Sequence, residues 1–127
     1  EGLGLSDNEI EDISALSGLR NLQRLSLWGN KVTDIRPITK LTKLVKLWLD
    51  RNQIHDIDAI RGMSKLSILG LSGNQITDLA PLLDNPGLGD GGEIDLRDNP
   101  LDLSPGSENM DAIETLKERG ALVEYEE

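Results

Sequence analysis

Leucine and isoleucine return along this chain at a fixed interval that is too long for the face of any single helix or strand. Leu22, Leu44, Leu66 and Leu88 form one column, Leu25, Leu47 and Leu69 a second, and Leu27, Leu49 and Leu71 a third. Ile10, Val32, Ile54 and Ile76 continue the pattern, as do Ile13, Ile35, Ile57 and Leu79. The polar positions keep the same period: Asn8, Asn30, Asn52 and Asn74 stand 22 residues apart, and Asn99 follows after 25. Self-similarity with a period of roughly 20 to 29 residues marks a stack of small units, none of which buries its apolar face alone.

Each unit can be read position by position, as in LQRLSLWGNKVTDIRPI from Leu22 to Ile38. Alternation at Leu25 and Leu27 predicts a short strand with one buried face, which turns Arg24, Ser26 and Trp28 outward. The asparagine column asks for a small amide that turns the chain and satisfies backbone groups inside the coil, where an unpaired polar group costs about 1 to 3 kcal/mol. Asp12, Asp34, Asp56 and Asp78 precede short segments such as IRPI and LAPL. There a carboxylate caps the free N–H groups of a single helical turn. Pro37 and Pro81 suit the start of such turns, where a missing donor costs little. A carboxylate ladder also suggests calcium, but consecutive aspartates lie one coil apart and no DxDxDG-type loop exists, so no metal site is expected.

The stretch DISALSGLRNLQRLSLWGNKVTDIRPITKLTKL resembles the 22-residue leucine-rich repeats of the internalin-like class. The likeness is tight from residue 3 to about residue 88, and the IxDIxxIxxL half separates this class from longer leucine-rich repeats. The resemblance implies an α/β fold: a right-handed solenoid of about five coils, with a concave parallel β-sheet, a convex side of short 3-10 turns and a C-terminal helical cap. It implies partner binding through the concave face, carries over no catalytic residues, and leans toward a bacterial cell-surface or secreted protein. The residues themselves leave the localisation unknown. Two departures stand out. The helical cap that begins such domains is missing from these residues, and about five coils is fewer than many relatives have.

The coils around Asn8, Asn30, Asn52, Asn74 and Asn99 are expected to occupy residues 1–104, with a cap helix and short strand at 105–127, all in one continuous domain. After Leu88 the register breaks, and GDGG at 89–92 reads as a flexible loop at the rim. SENMDAIETLKERG then reads as a helix with Ser107 as N-cap, Glu108 and Asp111 in the first turn and Gly120 at the stop. Met110, Ile113 and Leu116 form its apolar stripe, and ALVEY at 121–125 offers a last strand; together they would cover the final coil, the device repeat proteins require. Nothing comparable covers Leu3, Leu5 and Ile10, which leaves an N-terminal edge suited to covering by further chain or to pairing with another molecule.

Charge and chemistry then narrow the function. Thirteen Lys and Arg against 23 Asp and Glu give a net charge of −10, which disfavours nucleic acid and anionic membranes. No apolar run is long enough for membrane insertion. Cysteine is absent, so neither a disulfide framework nor a thiolate nucleophile exists. His55 is the single histidine and falls on the outer turn, away from Ser26 and Ser72, so no Ser-His-Asp arrangement forms. The glycine run lacks the Lys and Ser/Thr of a phosphate-binding loop. No enzyme and no cofactor are expected.

Stacked strands align three outward columns: Arg24, Lys46, Ile68 and Glu93; Ser26, Trp48, Gly70 and Asp95; Trp28, Asp50, Ser72 and Arg97. Both tryptophans fall here, on neighbouring strands, and are expected to form one aromatic platform. Tryptophan is enriched in binding hot spots because it buries a large area and keeps an N–H donor. The expected partner-binding set is Arg24, Ser26, Trp28, Lys46, Trp48, Asp50, Ile68, Ser72, Asp95 and Arg97, facing a protein or peptide. A glycan stacking on the indoles and self-association through the N-terminal edge remain alternatives.

Overall fold

The computed structural model describes residues 1–126 and lays the repeat out as a single six-stranded parallel sheet in strict sequence order. The strands are β1 (Gly2–Gly4), β2 (Arg24–Ser26), β3 (Lys46–Trp48), β4 (Ile68–Gly70), β5 (Glu93–Asp95) and β6 (Leu122–Glu124). Five strands come from the asparagine-marked coils and the sixth from the C-terminal ALVEY segment. The register follows the sequence columns: Leu25 pairs with Leu47, Leu47 with Leu69, and Leu69 with Ile94.

Inside the stack the leucine and isoleucine columns form one continuous core. Leu25, Leu27, Leu47, Leu49, Leu71, Ile54 and Ile76 have no exposed surface. Leu3, Leu5 and Ile10, in the first described coil, are only partly buried. The asparagine ladder ties each coil to the one before. Asn74 Nδ2 donates to Leu71 O in its own coil and to Leu49 O in the previous one, while its Oδ1 accepts from Ile54 N. Asn30, Asn52 and Asn99 repeat the arrangement. Asn8, in the first coil, is exposed and holds only Leu5 O and Ser6 O.

The residue before each ladder asparagine sits in the left-handed region: Asp7, Gly29, Arg51, Gly73 and Asp98, with φ between 56° and 75°. Every coil therefore turns the same corner out of its strand. Two coils use glycine, which adopts this conformation freely, and three accept the cost of a side chain there.

On the convex side the aspartate column meets the start of each short turn. Asp12, Asp34, Asp56 and Asp78 accept from the backbone N–H groups of Ser14, Arg36, Asp58 and Ala80, the first residues of the following turns. Three of those turns are 3-10, at Ser14–Leu16, Arg36–Ile38 and Asp58–Gly62. The fourth, Ala80–Leu83, closes as one turn of α-helix, α1. Asp84 N there bonds to Ala80 O, an i to i−4 closure.

The cap helix α2 runs from Glu108 to Glu118, with the Ser107 side chain accepting from Met110 N. Ile113 and Leu116 are fully buried against the last coil. Asn109, which no repeat column announced, docks the helix: its amide donates to Thr77 O and accepts from Leu79 N. The glycine run is not a loose rim loop. Gly89 and Gly92 are buried, and the run lies against the turn leaving α2, with Gly91 N bonded to Gly120 O at 3.3 Å.

Candidate functional site

The strand register builds the concave face. One column reads Gly2, Arg24, Lys46, Ile68, Glu93 and Leu122; the next reads Gly4, Ser26, Trp48, Gly70, Asp95 and Glu124. Trp28, Asp50, Ser72 and Arg97 lie two positions beyond the second column. They are held level by ladder bonds such as Leu27 N to Trp48 O and Arg51 N to Ser72 O. Buried Leu25 and Leu27, on either side of Ser26, fix which way that face points. The cap strand adds Leu122 and Glu124, two positions the repeat reading did not extend to, although the alternation in ALVEY carries them.

The two indoles play different parts. Trp28 is 36% exposed, and the Arg51 guanidinium lies over its ring at 5.4 Å from the centroid. Arg51 is thus the cation that supports Trp28 among the described residues, ahead of the nearer-looking columns of Arg24 and Lys46. It reaches the ring from the left-handed corner of the next coil, where its φ is 59°. Trp48, half-buried in β3, instead forms one wall of a hollow of about 300 Å³. Ile68, Gly70 and Ile94 line the hollow with it, and Asp50, Glu93, Asp95 and Glu124 supply its polar wall.

Asp50 does not stand open on the face as expected; it is only 6% exposed. Its Oδ2 accepts from Ser72 N at 3.1 Å and Ser72 Oγ at 2.7 Å, which folds the carboxylate down over the neighbouring strand. Gly70 makes this possible, because a Cβ at that position would collide with the Asp50 carboxylate. Ser26 is likewise engaged, sharing a 2.6 Å hydrogen bond with Ser6. Asp95 and Arg97 bind each other: Nε and Nη2 of Arg97 donate to the two carboxylate oxygens at 3.0 and 2.8 Å. Arg97 also reaches Glu124 at 3.3 Å.

Burial alone would raise the Asp95 carboxyl, but hydrogen bonds from the Arg97 side chain and backbone outweigh it and hold it below the usual carboxylate range. Arg97 is raised in turn, chiefly by its bond to Asp95. A second, wider depression of about 490 Å³ sits at the lip of the face, between Arg51, Ser72, Gly73, Arg97, Asp98 and Glu126. On the convex side His55 lines a shallow groove with Thr33, Asp34, Arg36 and Asp56. Arg36 bonds Asp34 through its side chain and backbone, and holds that carboxyl down to about 2. No helix among the described residues is long and apolar enough to cross a membrane.

Comparison with known proteins agrees with this geometry. The sequence matches the family described as leucine-rich repeats (2 copies) over residues 1–40, 20–62 and 42–85. Comparison with curated protein sequences finds no match. Among solved structures it is similar to internalin C2 of Listeria monocytogenes, with 31% identity and a TM-score of 0.81 over 99% of this chain and 51% of that one. It is also similar to internalin F of the same organism, with 28% identity and a TM-score of 0.72 over 99% of this chain and 43% of that one. The chain thus spans about half the length of these structures. A 22-residue period, an asparagine ladder closing each coil, an aspartate capping each convex turn and two internalins that superpose along the whole sheet leave one assignment: the chain belongs to the leucine-rich-repeat family, in its internalin-like group.

Proposed function

We propose that this chain is a non-catalytic binding module that recognises a protein or peptide on its concave face. Leucine-rich repeats of the internalin type are generally protein-interaction modules, and the observation that carries the reading here is the placement of both tryptophans. Each projects from the same sheet face, one with the Arg51 guanidinium over its ring and one walling a hollow. An exposed indole fixed in place loses little side-chain freedom on binding, which is what makes such residues anchors. Arg24 and Lys46 on one side and Glu93, Asp95 and Arg97 on the other give the aromatic centre a mixed-charge rim, as protein interfaces have. In this reading residues 1–104 and the cap at 105–127 act as one continuous domain. The similarity to two internalins of Listeria monocytogenes supports a bacterial setting for this module, at the cell surface or in the secreted fraction.

The test is capture of partners from native lysate and culture medium by the wild-type domain beside a Trp28→Ala, Trp48→Ala double variant. A protein retained by the wild type alone supports the concave-face binder, and Trp48→Ala by itself should weaken that complex by about 2 kcal/mol or more. Equal retention by both overturns the reading. Fluorescence shifts on adding glycans would redirect it to carbohydrate. A concentration-dependent mass in light scattering would redirect it to pairing through the β1 edge.

A further inference from the structure

The hollow beside Trp48 has a chemistry that the rest of the concave face lacks. Its floor is Gly70, flanked by Ile68 and Ile94; Trp48 stands on one side and Glu93, Asp95 and Glu124 on the other. Asp50 closes it with a carboxylate whose two oxygens are unequally used. Oδ2 accepts both Ser72 donors, whereas Oδ1 has no protein partner among the described residues and lies directly over Gly70. Among the described residues no fully buried side-chain oxygen lacks a partner, so Oδ1 is open to the hollow. There it can accept from an incoming donor while Ser72 holds the rest of a residue that is 6% exposed overall. Asp95 is already neutralised by Arg97, but Glu93 forms no ion pair among the described residues.

We infer that this hollow receives a cationic side chain, Arg or Lys, presented by the protein partner. Resting on the proposed concave-face binding, the inference adds the chemistry of the residue that docks. The guanidinium or ammonium donates to Asp50 Oδ1 and lies beside Glu93, while its aliphatic stem packs on Ile68 and the Trp48 ring. Indole faces attract cations, and the attraction grows as water is excluded; a charge-assisted hydrogen bond to a shielded carboxylate adds to it. The missing Cβ at position 70 is what lets the Asp50 carboxylate lie along the wall of the hollow. In the same column Arg24 and then Lys46 lie on the N-terminal side of Ile68, so the partner is oriented with its basic residue toward the C-terminal coils.

The experiment uses acetyl-Gly-Arg-Gly-amide as probe, with the citrulline peptide as its uncharged near-isostere, titrated into the 15N-labelled full chain. The arginine peptide should shift the Gly70 amide and the Trp48 indole N–H saturably, and the citrulline peptide should need about ten-fold more to do so. Asp50→Asn can keep the Ser72 bonds through its carbonyl while turning an N–H toward the hollow, and should weaken the arginine peptide by about ten-fold. Glu93→Gln, at an exposed position that cannot endanger the fold, should weaken it by about three-fold. Equal shifts from both peptides, shifts centred on Trp28 instead, or no saturable shift at all would each overturn the cationic occupant. None of those results bears on the tryptophan-dependent capture, which can succeed with the hollow empty. Conversely, a selective arginine response beside tryptophan-independent capture would leave the hollow and remove the binder.

Discussion

Replacing Asn74 with alanine tests the ladder where it is most enclosed. Asn74 is 2% exposed. Its amide is the partner of Ile54 N, Leu49 O and Leu71 O in the interior, with Ser72 O nearer solvent. Truncation leaves three buried backbone groups unpaired, each costing about 1 to 3 kcal/mol. Water entering the vacated space recovers a part, since a polar pocket of that size can hold one. The expected loss is therefore about 3 to 6 kcal/mol, a large share of the roughly 5 to 15 kcal/mol that stabilises an ordinary domain. Asn8→Ala removes the same side chain from the exposed first coil, where Leu5 O retains the Asn30 amide as donor; its loss should stay below about 1 kcal/mol. Urea titrations followed by far-UV circular dichroism give both values. If Asn74→Ala opens the stack between coils, the slope of its transition should also fall. Equal costs at the two positions, or less than about 1 kcal/mol at Asn74, would refute the account of the ladder as a bridge between buried backbones.

Leu49→Ala, at a side chain with no exposed surface, should cost about 2 to 5 kcal/mol in the same titration, whereas Trp48→Ala one residue earlier should stay within about 1 kcal/mol; the reverse order would mean that the faces are misassigned. Asn109→Ala should speed amide hydrogen exchange across α2 and β6 while leaving β2 to β4 protected, because it frees Thr77 O and Leu79 N at the cap junction. Asp34 at about 2, with Asp12 and Asp102 also held low by hydrogen bonds at Ser14 and Ser104, predicts an acid-sensitive fold. Their folded values lie below the unfolded value of about 3.9, so their stabilisation is present above that pH and is lost as the pH falls through roughly 4 to 2. Asp34→Asn should flatten that part of a Tm-against-pH curve, and an unchanged slope would remove the assignment.

What the chain discloses in one dimension is whatever repeats. Leu25, Leu47 and Leu69 occupy equivalent places, so the sequence states their burial three times over; the asparagine and aspartate columns announce their bonds in the same way. Features that occur once are silent. Asn85 is fully buried, with its amide on Ile60 O and Met63 O, yet no column marks it, and Asn109 is equally solitary. The same limit blurred the site. The columns place Trp28, Trp48 and Asp50 on one face, but whether a side chain stands up or lies down depends on its neighbours across strands. Asp50 lies down because Gly70 leaves space and Ser72 offers two donors, a diagonal relation that no spacing reveals. Arg51 crosses to Trp28 because the backbone before Asn52 is left-handed, which only the other coils' Gly29 and Gly73 hint at.

The glycine run at 89–92 also decides how such an array is allowed to change length. A Cβ at Gly89 would press on Arg119, and one at Gly120 would press on the Asp90 backbone, so the three extra residues of the last coil and the turn leaving α2 are shaped against each other. Upstream, coils are interchangeable: cutting out residues 46–67 would join Val45 to Ile68, two successive columns, and leave every later residue in register. Downstream of Leu88 nothing is interchangeable, because the final coil and its lid are mutually moulded and neither fits a generic neighbour. Shortening or lengthening by whole units is thus confined to the interior, and the stretch from 86 onward must be inherited as a single terminator.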